Sequence, residues 1–214
     1  MAYTLRSYFR SSCSWRVRIA LAYKGLSYET IPVHLLHDGG QQHSDAHRSA
    51  NPMRELPVLL VGDEPLAQSM AILEYLEESH PSPSLLPTDA LSRARVRQMA
   101  EVINSGIQPI QNLRVMQKLQ KDFNLEKAQT KVWSADWIKF GFDALEKLVC
   151  KHGGQYCFGD AVSFADACLV PQVFNARRFD VELSAYPNLT RIEEALNQLP
   201  AFEAAHPSKQ PDAE

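Results

Sequence analysis

At 214 residues and 24.1 kDa, with 45% hydrophobic and 22% charged residues, the chain has the composition of an ordinary folded protein with room for one domain or two. Its 22 Lys and Arg against 25 Asp and Glu leave a formal net charge of -3, scattered along the chain instead of gathered in blocks. This excludes a disordered or fibrous chain, and it excludes the overall basic surface expected of a nucleic-acid binder.

The opening MAYTLRSYFR lacks the apolar core of a secretory signal, and no run approaches the ~18 consecutive apolar residues of a spanning helix. A cytoplasmic protein with no nucleic-acid and no membrane partner is expected. The four cysteines, Cys13, Cys150, Cys157 and Cys168, form no C-x-x-C pair, which speaks against a disulfide framework or a structural zinc. The last three read as packing residues.

In chain order, residues 3–9 alternate as a short strand, and Val17, Ala20, Leu21 and Lys24 follow helical spacing. Gly25 stands where a left-handed C-cap belongs. Residues 28–34 read as a second strand, completing a βαβ opening. After a variable segment, residues 57–61 form an apolar strand, Gly62-Asp63-Glu64-Pro65 a turn, and Leu66-Ala67 the start of a return strand. Ser69, Ile72, Leu73 and Leu76 then mark one face of a helix, with Ser69 as its N-cap.

Pro81, Pro83 and Pro87 cannot lie within a continuing helix, so 81–88 reads as a linker between a domain at 1–80 and another at 89–214. The second domain should be all helix. Val96, Met99, Ile103, Ile107 and Ile110 form one stripe, and Trp133, Trp137, Phe140, Ala144 and Leu148 another. Pro109 is expected to bend the first of these helices and open a cleft toward the first domain. Ser163-Phe164-Ala165-Asp166 has capping-box spacing, with Asp in place of Glu or Gln.

The chemistry-bearing residues concentrate at the first strand-to-helix junction, Ser11-Ser12-Cys13-Ser14-Trp15-Arg16. A helix N-terminus offers unpaired N–H groups and partial positive charge, so hydroxyls and a thiol there suit an anion or a thiolate. The competing reading is that one serine caps the helix and the rest face solvent. A second feature is Leu56-Pro57. A cis bond there would turn the Leu56 backbone toward a peptide-like ligand, whereas the general frequency of ~5–6% cis favours trans. Gln68-Ser69 marks a second helix start suited to a carboxylate, again against plain capping.

Histidines 34, 37, 43 and 47 surround Asp38-Gly39-Gly40; their spacing favours a solvated loop over a metal site. Arg10, Arg16 and Arg18 flank the hydroxyl cluster, and Arg114, Arg177 and Arg178 come from the helical half. Together they would suit a substrate with two carboxylates.

The run from Ser11 through Leu21, SSCSWRVRIAL, resembles the signature of zeta-class glutathione transferases, the maleylacetoacetate isomerase family. The resemblance continues through Asp38-Gly39-Gly40-Gln41-Gln42, Asn51-Pro52-Met53, Gln68-Ser69-Met70-Ala71-Ile72, Gly106-Ile107-Gln108-Pro109, Gln111-Asn112-Leu113 and Leu169-Val170-Pro171-Gln172-Val173, ending near Pro207 to Asp212. It implies a glutathione transferase fold: an α/β thioredoxin-like N-terminal domain (βαβ, α, ββα) and an all-α C-terminal domain. It also implies a homodimer, glutathione as cofactor, and a cis Leu56–Pro57 bond.

Carried over by position, the resemblance assigns glutathione contacts to Ser11, Ser12, Cys13, Ser14, Trp15, Arg16, Gln42, Leu56, Gln68, Ser69, Gln108, Asn112, Leu113 and Arg114. Ser11, with Ser12 and Cys13 secondary, is the implied catalytic group. Arg10, Arg114 and Arg178 are implied for the carboxylates of a small dicarboxylate substrate. The implied activity is isomerisation of maleylacetoacetate to fumarylacetoacetate, in tyrosine and phenylalanine breakdown, by reversible thiolate addition. Arg114 leans toward the related maleylpyruvate isomerases of gentisate breakdown. Glutathione conjugation, α-haloacid dehalogenation and a non-catalytic glutathione-binding module are the further readings.

Overall fold

The computed structural model describes residues 2–214. By packing, the chain divides into two compact units. One comprises the residues up to Leu85 together with Asn197–Glu214, and the other is Leu86–Leu196.

In the first unit, β1 (Tyr3–Ser7) buries Tyr3, Leu5 and Ser7 on one face, as its alternation requires. Helix α1 (Ser12–Tyr23) crosses over to β2 (Tyr28–Pro32), which pairs parallel to β1 with Tyr3 opposite Tyr28. A parallel pair needs such a crossover, and Gly25 at φ 66 ends the helix so the chain can turn back. Helix α2 (Asp45–Ala50) follows two short 3-10 turns. Strands β3 (Val58–Val61) and β4 (Glu64–Ala67) form the expected hairpin, with β3 antiparallel to β1, giving the order β2-β1-β3-β4. Helix α3 (Ser69–Ser79) follows, burying Ile72, Leu73 and Leu76.

Both outer strand ends stop short of the sequence expectation. β1 ends at Ser7 because the Tyr8 carbonyl turns to accept the Ser11 N–H at 3.0 Å. β2 ends at Pro32, after which the Val33 N–H still gives one bond to the Ser7 carbonyl at 2.8 Å. The N-cap of α3 is Gln68, at φ 73, and Ser69 is the first helical residue instead of the cap. Leu56–Pro57 is cis, and so is Ser82–Pro83.

The second unit is helical: α4 (Ala90–Asn104), α5 (Leu113–Asp122), α6 (Lys127–His152), α7 (Phe164–Arg178) and α8 (Pro187–Asn197), with α4 packed against α6 and α7. Pro109 bends no helix. The first stripe breaks, because α4 ends at Asn104 and residues 105–111 form turns before α5. The aromatic stripe of α6 is not its core face. Trp133 is 36% and Phe140 70% exposed, while Ser134, Ile138, Phe142, Leu145 and Val149, one register over, are buried. The capping box of α7 forms as its spacing predicts: the Asp166 carboxylate accepts from Ser163 N–H and Oγ–H and from Cys157 N–H.

Helix α9 (Pro200–Ala205) packs on α1 in the first unit, although a boundary near residue 80 assigns everything beyond it to the helical domain. This packing and that of α3 bury nine residues of α1, Arg16 and Arg18 among them. Among the described residues no helix is long and apolar enough to cross a membrane. All four cysteines are free; Cys157 and Cys168 are core residues, whereas Cys150 is exposed, contrary to the packing expectation. Burial pushes the Cys157 thiol well up.

A buried ion pair closes this unit after α3. Lys24 Nζ donates to Glu77 Oε2 at 2.8 Å and to the carbonyls of His80 and Pro83 at 2.7 and 2.9 Å. Glu77 accepts in addition from the Leu85 N–H and the Ser84 hydroxyl. Burial alone would push the Glu77 carboxyl up, but the hydrogen bonds from Lys24, Ser84 and Leu85 outweigh it and hold the carboxyl below its ordinary 4.5. The stability it contributes is therefore complete above pH 4.5 and is lost as pH falls through the lower folded value. E77Q, which leaves Lys24 buried without its counter-charge, should cost about 3–5 kcal/mol at neutral pH. Denaturant titrations should show that gap from wild type narrowing below pH 4.5.

Candidate active site

Ser11 is the N-cap of α1, with extended backbone (φ -65, ψ 115), and its Oγ accepts the Ser14 N–H at 3.2 Å. The Trp15 N–H goes to the Ser11 carbonyl at 2.9 Å. The Ser12 and Cys13 N–H groups have no protein acceptor among the described residues, as first-turn donors do unless capped. Ser11 and Cys13 are half-buried, while Ser12 and Ser14 are buried. Ser14 Oγ, wholly buried, has no hydrogen-bond partner.

The second helix start lies against the first. Arg16, 0% exposed, donates from Nη1 to Ser69 Oγ at 3.2 Å, joining the first turn of α3 to the second turn of α1. No side chain caps α3 at Gln68. Ser11 through Arg16, Gln68 and Ser69 are thus one cluster, with two sets of helix N-terminal donors and a buried guanidinium, an arrangement that favours negative charge. Leu56 is buried with Tyr8, Phe9 and Val33, beside the turn that leads to Ser11.

Gln42 is buried in the second 3-10 turn. Its Nε2 donates to the Leu35 carbonyl at 3.4 Å, and its Oε1 has no partner. Gly40, at φ 101, is required there: a Cβ would stand 2.6 Å from Gln42 Nε2.

The arginines separate into different tasks. Arg18 does not face a substrate. It is 0% exposed and donates to Ser7 Oγ (3.1 Å) and to the carbonyls of Tyr8 (3.4 Å), Phe9 (2.9 Å) and Ala205 (3.1 Å). Burial lowers its pKa to about 10, partly offset by Tyr28 and Asp212, so it keeps its charge at neutral pH. Arg10 is exposed, donates to Tyr8 Oη from Nε and Nη2 (3.2 and 2.8 Å), and lies over the Tyr8 and Phe9 rings.

In the second unit, Asn112 caps α5 through Oδ1, which accepts the Arg114 N–H at 3.1 Å. Leu113 and Arg114 open that helix, Arg114 exposed, and Gln108 is half-buried in the preceding turns. Arg177 is held by Glu193 in a two-point pair at 2.8 and 2.8 Å, whereas Arg178, exposed at the end of α7, lies over Phe179.

The histidines divide: His37 and His43 are exposed, as a solvated loop requires, whereas His34 and His47 are buried. Among the described residues one trio of potential metal ligands comes together, His34, His37 and Glu214. His34 Nδ1 accepts the N–H groups of Leu36 and His37, which places its own proton on Nε2, 3.3 Å from Glu214 Oε1. A proton in that position faces the Glu214 carboxylate at ion-pair distance without making a hydrogen bond, and it takes the lone pair a metal would need. A separate cleft of about 660 Å³, lined by Arg6, Val33, Gly40 and His47 among others, contains no member of the hydroxyl cluster.

Sequence reasoning missed Asp212, whose Oδ2 accepts the Phe9 N–H at 2.9 Å. The only signal was the extension of the family resemblance to that residue. It also missed Tyr8, the buried seat of Arg10.

Residues 1–78 match the family model for the glutathione S-transferase N-terminal domain, and residues 112–205 the one for the glutathione S-transferase C-terminal domain. The chain is 51% identical over 208 residues to a maleylacetoacetate isomerase of Rattus norvegicus, covering 97% of this chain and 94% of that protein. A solved structure described as holo maleylpyruvate isomerase, a bacterial glutathione S-transferase of zeta class, superposes with a TM-score of 0.95 at 43% identity, covering 99% and 100% of the two chains. A maleylacetoacetate isomerase from Anaeromyxobacter dehalogenans, solved with dicarboxyethyl glutathione and citrate in its active site, gives 0.88 at 45% identity, covering 100% and 98%.

The two adjacent glycines allow a test of the Gln42 seat. G40A should cost about 1–3 kcal/mol of backbone strain and displace the Gln42 amide. G39A, also at positive φ but with nothing within 4 Å of its Cβ, should leave Gln42 in place. Side-chain amide NMR shifts, read beside denaturation curves, distinguish the two.

Proposed function

The chain belongs to the glutathione S-transferase family, in its zeta-class maleylacetoacetate isomerase branch, and on that premise we propose that it is a glutathione-dependent isomerase converting maleylacetoacetate to fumarylacetoacetate. The observation that carries this reading is the Ser11 cap. Its Oγ accepts from the Ser14 N–H, so its own proton is left to be given to an anion at the positive end of α1.

The residues present fit glutathione, a flexible peptide with two carboxylates and a thiol. Two helix starts meet through Arg16 and Ser69, α3 has no side-chain cap, and Ser14 Oγ and Gln42 Oε1 are buried polar atoms without protein partners. Ser11 to Arg16, Gln42, Leu56, Gln68 and Ser69 would hold it in the first unit. When bound, glutathione supplies a thiolate that adds reversibly to a cis double bond beside a carbonyl and frees that bond to rotate.

The chain's own residues make the thiolate available and bear negative charge. Ser11 donates its hydroxyl proton in a hydrogen bond to the sulfur. The α1 N-terminus, with the open N–H groups of Ser12 and Cys13, favours the ionised thiol at neutral pH. Arg16, buried against Ser69, adds fixed positive charge that needs no reorganisation. Ser12 and Cys13 side chains are secondary in this scheme. In the second unit Gln108, Asn112, Leu113 and Arg114 are proposed for glutathione, and Arg10, Arg114 and Arg178 for the carboxylates of the substrate. A homodimer in the cytoplasm, acting in tyrosine and phenylalanine breakdown, completes the proposal.

Arg114 supports a second reading. It is exposed at the start of α5, and the chain superposes closely on a maleylpyruvate isomerase. S11A should fold, at a cost of about 1 kcal/mol for the lost cap, yet lower kcat about 10²–10³-fold. Ultraviolet assays of glutathione-dependent isomerisation with both maleyl substrates should give the higher kcat/KM for maleylacetoacetate. Near-normal S11A turnover would overturn the assignment, and the reverse substrate ranking would shift it to maleylpyruvate.

A further inference from the structure

The turn that delivers Ser11 to the head of α1 is held through several of its backbone groups. The Tyr8 carbonyl accepts from Ser11 N–H and Arg18, and the Phe9 carbonyl accepts from Arg18. A further donor of the turn, the Phe9 N–H, is taken by Asp212 Oδ2 at 2.9 Å across 203 residues of sequence. Phe9 is buried at 5% exposure, so this N–H has little access to water as an alternative partner.

The rest of the tail supports the same placement. Gln210 Nε2 donates to the carbonyls of Ala204 and His206, and the His206 ring stands edge-on to Trp15 of α1. Beyond Asp212, Glu214 Oε1 lies 3.3 Å from Nε2 of both His34 and His37, at the head of the loop that carries Gln42. The tail thereby touches two of the segments of the first unit that carry candidate glutathione residues, the one leading to Ser11 and the one leading to Gln42.

We propose that Asp212 is a positioning residue of this site: by fixing the Phe9 N–H it sets the Tyr8 to Ser11 turn, and through it the direction in which the Ser11 hydroxyl points. The proposal rests on the role given above to Ser11. A hydrogen bond to sulfur weakens steeply with misalignment, so a small rotation of the turn is felt at the thiolate more than in binding. Asp212 itself touches no reacting atom.

The test uses the full chain as wild type, D212A and D212N. The thiol pKa of bound glutathione is followed by thiolate absorbance against pH, alongside calorimetric glutathione affinity, kcat, KM and the thermal midpoint. In D212A the thiol pKa should rise by about one unit, with kcat at neutral pH falling roughly tenfold, while KM for glutathione changes less than about threefold. D212N keeps an acceptor for the Phe9 N–H and should recover most of the loss. If D212A does not fold, D212S, whose hydroxyl is too short to span the same distance, should show the same rise. A variant that melts earlier but keeps the wild-type thiol pKa and kcat would overturn the positioning role, as would a D212N as impaired as D212A. If the wild type itself fails to lower the thiol pKa, the reading of Ser11 fails instead, so the two failures are told apart.

Discussion

The first unit depends on a charge kept out of water. Arg18 is wholly buried, and a guanidinium in that position is tolerable only if its donors are satisfied. They are satisfied by a side chain and three backbone carbonyls from three places: the end of β1, the turn that follows it, and the last helix of the chain. Because guanidinium geometry is a rigid fork, these acceptors cannot move independently. The loop that places Ser11 is therefore held by the core it emerges from, which is the condition for a preorganised site.

The neighbouring arginine has a different task. Arg16, two residues earlier on α1, is equally buried and gives a donor to Ser69. One helix thus carries one arginine that anchors the protein's own carbonyls and one that adds positive charge between two helix starts. The net charge of -3 conceals this local concentration. The proposed anion recognition rests on helix dipoles and the buried Arg16 guanidinium, which are screened far less by salt than an exposed basic patch would be.

Much of the site was legible because it is local. The Ser11 cap and the helix start at Gln68-Ser69 follow from residues adjacent in sequence, whose consequences are set by helix ends. The different tasks of Arg10, Arg16 and Arg18 were not legible, because each depends on what the side chain meets: Tyr8, Ser69, and carbonyls as remote as Ala205. The α6 stripe shows the same limit. Trp133, Trp137 and Phe140 have the spacing of a core face, yet the neighbouring register is the one that packs, since periodicity fixes a face without saying which partner covers it.

By itself the sequence determined the two grammars of the chain, the βαβ opening with its hairpin and the helical second half, and the family to which the signature at Ser11 belongs. It did so because strand alternation, helix periodicity and capping are short-range properties. Only the tertiary structure decided that residues from Asn197 onward pack with the first unit, that Pro109 falls between helices, and that Asp212 meets Phe9. The first and the last are contacts between segments far apart in the chain, which short-range patterns do not specify.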